Sequence, residues 1–366
     1  SGKIDRKALS ESELTLALQA DNTIARDVFE LQLISIWETV LNQNALSIHD
    51  NFFELGGHSL LALKLMSQIQ QQFNIQMPVS SLFQNPTIAS LAKQLRDGKT
   101  DTSPHLVPIR ATGNRNTIFL VPEATGSVMY LHPLASNLDN EYPVYALSTP
   151  GLNGSAIIND VKKLASFHVE NLRQQQPKGP YILAGHSSGG RVAYEIAWQL
   201  EQQGETIELL AILDTYAPNS PPEHDDMAMY NDYNWLHDIV YAFETTNQTN
   251  LNLSVQDLEA FGNLESAYEH VMDVFQQHDL FASNTDIEKL KALVNVYRVS
   301  CQIDFTYKMP GKLHCPIHLF CATEMTENHN ESLEPDFVTR GWTECTDGEV
   351  FEYQVPGNHM SMMFSP

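Results

Sequence analysis

Residues 181–200 read YILAGHSSGGRVAYEIAWQL, and this segment constrains the fold more than any other. An apolar run at 181–184 passes into the turn Gly185-His186-Ser187-Ser188-Gly189 and then into a helical pattern over 191–203. Strand, sharp turn, helix is the repeating unit of an α/β sheet. The same texture recurs through the second part of the chain. Short apolar runs at 117–121, 144–147, 209–213, 317–321 and 350–355 alternate with helix-length segments such as 156–175. We therefore expect a mostly parallel sheet flanked by helices. One stretch breaks the alternation: residues 217–300 read as a long helical insert rich in Met, Tyr and Phe. Inserts of that size sit over the carboxyl ends of strands and act as lids.

The first hundred residues have a different texture. Apolar residues recur at spacings of three and four: Ile24, Val28, Leu31, Ile34 and Leu41, then Leu61, Leu65, Ile69 and Phe73. That is the period of a helix, and no strand-like alternation interrupts it. Thr87, ahead of Ile88, Leu91 and Leu95, is placed to cap a short helix. A small four-helix bundle over 21–97 is the expectation. The polar, Pro-containing stretch DGKTDTSPH at 97–105 marks a linker, expected over 98–108.

Composition excludes several functions. The 366 residues carry 45 Asp and Glu against 21 Lys and Arg, a formal net charge of −24. Such a surface repels phosphate backbones and anionic lipid, so neither nucleic acid nor membrane is an expected partner. No apolar run approaches the length of a membrane span. The cysteines Cys301, Cys315, Cys321 and Cys345 are widely spaced, with no C-x-x-C pair and no matching His spacing. We expect reduced thiols, no metal site and a cytoplasmic setting. The sequence opens without Met or a signal peptide, which points to a piece of a longer chain.

The turn at 185–189 is a G-x-S-x-G elbow in the strand–turn–helix context that gives it meaning. The turn lifts the Ser187 hydroxyl above the sheet, with a helix N-terminus beneath it and the Ser188 N–H ready for a developing oxyanion. The plain alternative is a tight Gly-rich turn whose serine only caps the helix. A nucleophilic serine needs a base, and the base an orienting acid; in α/β-hydrolases they follow in the order Ser, acid, His. His359 stands after the 350–355 strand and the turn Pro356-Gly357-Asn358. Asp214 directly follows the 209–213 strand, and Glu324, after 317–321, is its rival. His186 adjoins the serine but is expected to turn away from it. A second oxyanion donor is expected from the loop Val121-Pro122-Glu123-Ala124-Thr125-Gly126, with the Ala124 N–H as the candidate.

A second serine stands in the string Asp50-Asn51-Phe52-Phe53-Glu54-Leu55-Gly56-Gly57-His58-Ser59-Leu60. On physical grounds Ser59 is either a helix N-cap or an exposed serine beside a positive helix end that suits an attached phosphate. The full string resembles the attachment site of peptidyl carrier proteins, DNFFxLGGHSL. That resemblance implies that Ser59 carries covalent 4′-phosphopantetheine, that Asp50, Phe52, Leu55, Gly56 and Gly57 shape its loop, and that His58 faces partner domains. SGKIDRKAL at the N-terminus resembles the closing motif of the adenylation domain of nonribosomal peptide synthetases. Residues 1–20 would then be an adenylation tail, with Lys3 idle because no adenylation body is present. Residues 109–366 resemble the terminal type I thioesterase of the same assembly lines, and Ser187, Asp214 and His359 fall on its triad. The family places the acid after the earlier strand, which favours Asp214 over Glu324.

Together these resemblances imply a carrier–thioesterase didomain that accepts a peptidyl thioester and releases it by hydrolysis or cyclisation. They imply upstream adenylation and condensation domains and a phosphopantetheinyl transferase as partners. A polyketide or hybrid terminus, and a stand-alone esterase with a helical appendage, are the alternatives. Two departures stand out. The family's oxyanion loop often reads H-P-x-G-G, whereas here two glycines are missing and Glu123 is added. The family also continues past its His with a closing helix, whereas this sequence runs only to Pro366.

Overall fold

The structure is a computed structural model. It describes residues 25–73, 75, 77, 79, 81–97, 105–152, 155–218, 230–247, 249–278, 280–281, 285–324 and 338–364, without the side chains of 59, 60, 246, 247 and 338. The expected adenylation tail with Lys3, most of the expected linker, the Ser59 side chain and the start of the expected lid lie outside the described residues. The chain divides into two compact units, one of residues 1–102 with 281–284 and one of residues 103–280 with 285–366.

The first unit is helical: α1 (Val28–Leu41), α2 (Ser59–Phe73), the short α3 (Ser81–Gln84) and α4 (Ile88–Asp97). Asp27 caps α1 by accepting the Glu30 N–H at 2.9 Å. Thr87 caps α4 as expected, its hydroxyl taking the Ser90 N–H at 3.2 Å. The stripe expected on α1 is corrected: Val28 and Leu31 are exposed, and the helix buries Leu33, Trp37 and Val40 with Leu41, because its inward face lies two residues along from the one that the spacing suggested. Leu33, Leu65, Ile69 and Leu91 belong to the core, each fully buried and each worth roughly 1.5–3 kcal/mol of transfer free energy. Phe52 enters this core edge-on to Trp37, with centroids 5.2 Å apart.

The second unit is built on a seven-stranded sheet in the order β1-β3-β2-β4-β5-β6-β7. Its strands are β1 (Leu106–Arg110), β2 (Ile118–Val121), β3 (Val144–Leu147), β4 (Tyr181–His186), β5 (Ile207–Leu213), β6 (Ile317–Ala322) and β7 (Val350–Val355). All neighbours run parallel except β1 and β3. β1 was not legible as a strand, and it begins at Leu106, inside the stretch expected as linker. Pro108 and the charge of Arg110 hide its pattern. Central strands β3 and β4 are buried at every residue, which is why they read as continuous apolar runs.

Helices α5 (His132–Asn137), α6 (Val161–Gln175) and α7 (Ser188–Gln202) connect the strands. The sequence suggested that α6 starts near 156; Asp160 caps it instead, accepting the Lys163 N–H at 2.8 Å. Leu164, Leu172, Ala193, Ile196 and Leu200 pack on Phe119, Leu183, Ile212 and Leu319 to form the main core. Between β5 and β6 stand α8 (Asp232–Asn247), α9 (Val255–Glu259), α10 (Leu264–Gln277) and α11 (Ile287–Thr306), the helical insert anticipated from the sequence. It runs six residues beyond the expected limit of 300, because α11 stays helical to Thr306. Arg191 of α7 pins α11 through a 2.5 Å ion pair with Asp304. Among the described residues no helix is long and apolar enough to cross a membrane.

Candidate active site

The turn between β4 and α7 is strained as the G-x-S-x-G pattern requires. Ser187 has φ 54° and ψ −133°, a conformation that a non-glycine residue keeps only where its surroundings enforce it. Its N–H is held by the Leu213 carbonyl at 3.0 Å, and its carbonyl takes the Thr215 hydroxyl at 2.7 Å and the Gly190 N–H at 2.8 Å. The end of β5 therefore fixes the serine, and the same strand end carries Asp214.

Asp214 follows β5 directly, also at positive φ (54°), with its N–H on the Phe320 carbonyl at 2.8 Å. Its side chain is 8% exposed and both oxygens are engaged. Oδ2 lies 2.7 Å from His359 Nδ1. Oδ1 accepts the Ala322 N–H at 2.8 Å and lies 2.7 Å from Arg340 Nη1. Burial by itself would raise the pKa of this carboxyl. The His359 hydrogen bond, the Arg340 and His359 charges and the Ala322 N–H together outweigh burial and hold it well below the usual carboxylate range. With Nδ1 bonded to a carboxylate, a neutral His359 ring presents Nε2 as its basic atom. The rival Glu324 is exposed, and its backbone N–H serves the turn by donating to Gly357 O at 2.9 Å.

His186, expected to turn away from the serine, is engaged by Tyr130 and by the loop that carries His359. It is fully buried, and its ring lies on that of His359 with centroids 4.7 Å apart. The Glu123 N–H donates to Tyr130 Oη at 2.8 Å; Tyr130 Oη is 3.1 Å from His186 Nδ1; His186 Nε2 is 2.9 Å from the His359 carbonyl oxygen. A carbonyl only accepts, so Nε2 carries the proton and Nδ1 accepts from the tyrosine. Burial first, then the like charge of His359, pushes the His186 pKa down to about 3, which keeps this tautomer neutral. One chain of hydrogen bonds thus ties the loop after β2 to the loop that carries His359.

The loop after β2 is close to the elbow. A Cβ on Gly189 would meet Pro122 O at 2.3 Å and Val121 O at 2.5 Å, so only glycine permits this approach. Glu123, Ser188 and Gly189 line one cavity with Ser300 and Asp304 of α11. Among the described residues neither the Ala124 nor the Ser188 backbone N–H has a protein acceptor. The added Glu123 is accommodated inside the loop, its carboxylate receiving the Thr125 N–H at 2.8 Å and the Thr125 hydroxyl. Burial raises its pKa against those bonds. Sequence reasoning missed Tyr130 and Arg340, whose parts depend on contacts remote in the chain.

In the first unit the loop 50–57 is fixed by bonds within it and to Gln43 and Pro86. Phe52 N–H donates to Pro86 O, and Gly57 N–H to Phe52 O, both at 2.8 Å; Gln43 Nε2 donates to Leu55 O at 2.8 Å. A Cβ on Gly57 would strike the Phe52 ring at 2.3 Å. His58 is exposed, and its carbonyl accepts the Ala62 N–H at 2.8 Å, so Ser59 is the first residue of α2. Its backbone sits where the orphan N–H groups of a helix start favour an attached phosphate, and a Cβ built on Gly56 would meet nothing within 4 Å. The residues present therefore fit a serine-linked phosphopantetheine.

Comparison with known proteins agrees in both units. The model of the thioesterase domain matches residues 116–365, and that of the phosphopantetheine attachment site matches 32–95. Chondramide synthase of Chondromyces crocatus is 31% identical over 376 residues, covering 100% of this chain and 9% of the relative. A dimodular nonribosomal peptide synthase of Bacillus subtilis is 28% identical over 368 residues, covering 99% of this chain and 14% of that protein. A holo four-domain nonribosomal peptide synthetase solved with AMP and glycine is 26% identical, with a TM-score of 0.64, over 93% of this chain and 25% of that one. The chain thus spans a small fraction of the length of the relatives that it matches.

Proposed function

The chain belongs to the thioesterase-domain family, with a phosphopantetheine-attachment domain ahead of it, and from that premise we propose that it ends a nonribosomal peptide assembly line by releasing the finished acyl chain. The observation that carries the proposal is the 2.7 Å bond from His359 to Asp214 beside the strained elbow of Ser187. 4′-Phosphopantetheine on Ser59 supplies a thiol on a long arm, to which the peptidyl chain is joined as a thioester. His359, oriented by Asp214, takes the Ser187 proton on Nε2 as the serine oxygen attacks the thioester carbonyl. The Ser188 and Ala124 N–H groups donate to the oxyanion. The imidazolium returns its proton to the departing sulfur, which leaves an acyl ester on Ser187. Water, or an amine or hydroxyl of the chain itself, then loses its proton to His359 and displaces Ser187. Hydrolysis and cyclisation share every step but this nucleophile.

The match at 32–95 argues against a free-standing esterase with an unrelated appendage. The partners of this activity are upstream adenylation and condensation domains and a phosphopantetheinyl transferase. Its free thiols suit the cytoplasm.

The test combines two variants. Coenzyme A and a transferase should add the arm to the wild-type chain and not to Ser59→Ala, read by mass spectrometry, while S59A still cleaves small acyl thioesters. Ser187→Ala should accept the arm, lose fluorophosphonate labelling and fall by several orders of magnitude in turnover. Normal release by S187A would overturn the proposal.

A further inference from the structure

We infer that Arg340 is a positioning residue for the acid of this reaction, fixing the Asp214 carboxylate and sharing its charge; the inference rests on the triad reading above. A carboxylate held only by an imidazole is free to rotate and exchange its oxygens. Here Oδ1 is anchored by Arg340 Nη1 at 2.7 Å and by the Ala322 N–H at 2.8 Å, which reserves Oδ2 for His359. This is not an exposed surface pair: the two side chains are 19% and 8% exposed. The guanidinium also lies over the Tyr216 ring, 4.9 Å from its centroid, so both faces of its position are set.

The backbone around Arg340 is bent to deliver it. Thr339, Arg340 and Gly341 have φ of 63°, 49° and 80°, and the first two are not glycines. Consecutive left-handed residues survive only where neighbours overdetermine them. The neighbours here are the residues that follow the acid. The Ala217 N–H donates to Arg340 O at 2.9 Å, and Trp342 Nε1 donates to Thr215 O at 2.7 Å. Thr339 N–H reaches Glu352 Oε2 on β7 at 3.3 Å. The segments 214–217 and 339–342 are thus laced together, and the strain places one cation against one carboxylate.

Charge follows from placement. The groups facing the His359–Asp214 pair are Glu123 from the loop after β2, His186 at the end of β4, Tyr216 after β5, Cys321 at the end of β6, and Arg340. Among these described groups Arg340 alone is a permanent cation. It offsets part of the Asp214 charge that faces the imidazole, and removing the cation leaves that charge uncompensated.

The experiment compares the pH dependence of kcat/KM for a small acyl thioester, and of fluorophosphonate inactivation, in full-length wild type, Arg340→Met and Arg340→Gln. In R340M the acid limb should move up by about one pH unit. Its plateau kcat should fall by about tenfold with KM unchanged, because the acid is no longer held in one orientation. R340Q keeps a donor to Asp214 and loses the charge, so its limb should move equally while its kcat falls less. A merely structural ion pair would lower thermal stability and leave the limb in place. If R340M does not fold, R340Q decides, and a wild-type limb there overturns the inference. Absence of Ser187-dependent turnover in the wild-type chain would sink the triad reading and this inference with it; wild-type behaviour of both variants sinks this inference alone.

Discussion

Gly189→Ala sets two effects of one methyl group against each other. Gly189 lies in the first turn of α7, where its own φ is not positive, so alanine should improve helix propensity by about 0.8–1 kcal/mol. The added Cβ, however, would sit 2.3 Å from Pro122 O, 2.5 Å from Val121 O and 2.9 Å from Pro122 C. All three atoms are backbone, so no side chain can swing aside. To reach an ordinary 3.4 Å contact the loop after β2 must retreat by about 1 Å. Overpacking of this kind costs about 1–3 kcal/mol. The net loss of stability is then at most about 2 kcal/mol, a fall in Tm of about 2–4 °C for each kcal/mol in a unit of this size. The catalytic loss should be larger. The same retreat would carry Ala124, the proposed oxyanion donor, away from Ser187, and a misplacement of about 1 Å costs about 10²-fold in rate. We expect G189A to fold, to label slowly at Ser187 and to lose about two orders of magnitude in kcat. Thermal unfolding and thioester turnover on one preparation check both halves. G189A with wild-type kcat would refute the claim that the loop after β2 holds an oxyanion donor against α7.

Tyr130→Phe deletes one oxygen and strands two buried groups, the Glu123 N–H and His186 Nδ1; it should cost about 1–3 kcal/mol in stability and lower kcat. Unchanged melting and turnover would show that the tie between the two loops is idle. In the first unit, Glu30 is fully buried with Arg26 at 2.7 Å, and the Arg26 hydrogen bond holds its pKa below the ordinary value. A lowered folded pKa gives stability that is present above the unfolded value and is lost as pH falls through the folded one. Glu30→Gln should therefore weaken hydrogen-exchange protection of α1 at pH 7 and change it little near pH 3, whereas an equal loss at both would count against the charge.

The sequence disclosed those features that are local. The elbow was legible because a strand, the five-residue G-x-S-x-G pattern and a helix are contiguous from Tyr181 onward, although strand and helix each run into the pattern and leave only Ser187 between them. Asp214 and His359 were legible as the residues that leave β5 and β7, since a parallel sheet delivers its strand ends to one edge. The helical nature of the first unit was legible from its three-four period and from the Thr87 cap, and Leu65, Ile69, Leu91 and Leu95 are buried as the period suggested, whereas on α1 the period marked Val28 and Leu31, which are exposed. β1 was hidden by a proline and an arginine in a strand of five residues, whose antiparallel pairing to β3 needs partners nearly forty residues away.

What stayed hidden has a common physical cause. Tyr130, His186 and Arg340 act by hydrogen bonds to backbone or to a carboxylate that only tertiary folding brings near, and no periodicity marks such contacts. His186 shows this best: its identity was visible inside the elbow, yet its neighbour in sequence is Ser187 while its functional neighbour is the His359 carbonyl, 173 positions on. Arg340 is the same case with charge added, 126 positions beyond the acid that it meets. An α/β sheet brings the three proposed reacting groups to one edge with little else required, because each needs only to follow a strand. Keeping them within a fraction of an ångström of one another is a separate task. It falls to groups that cross between the loops, so substitutions there should move rate and pH profile before they move the fold.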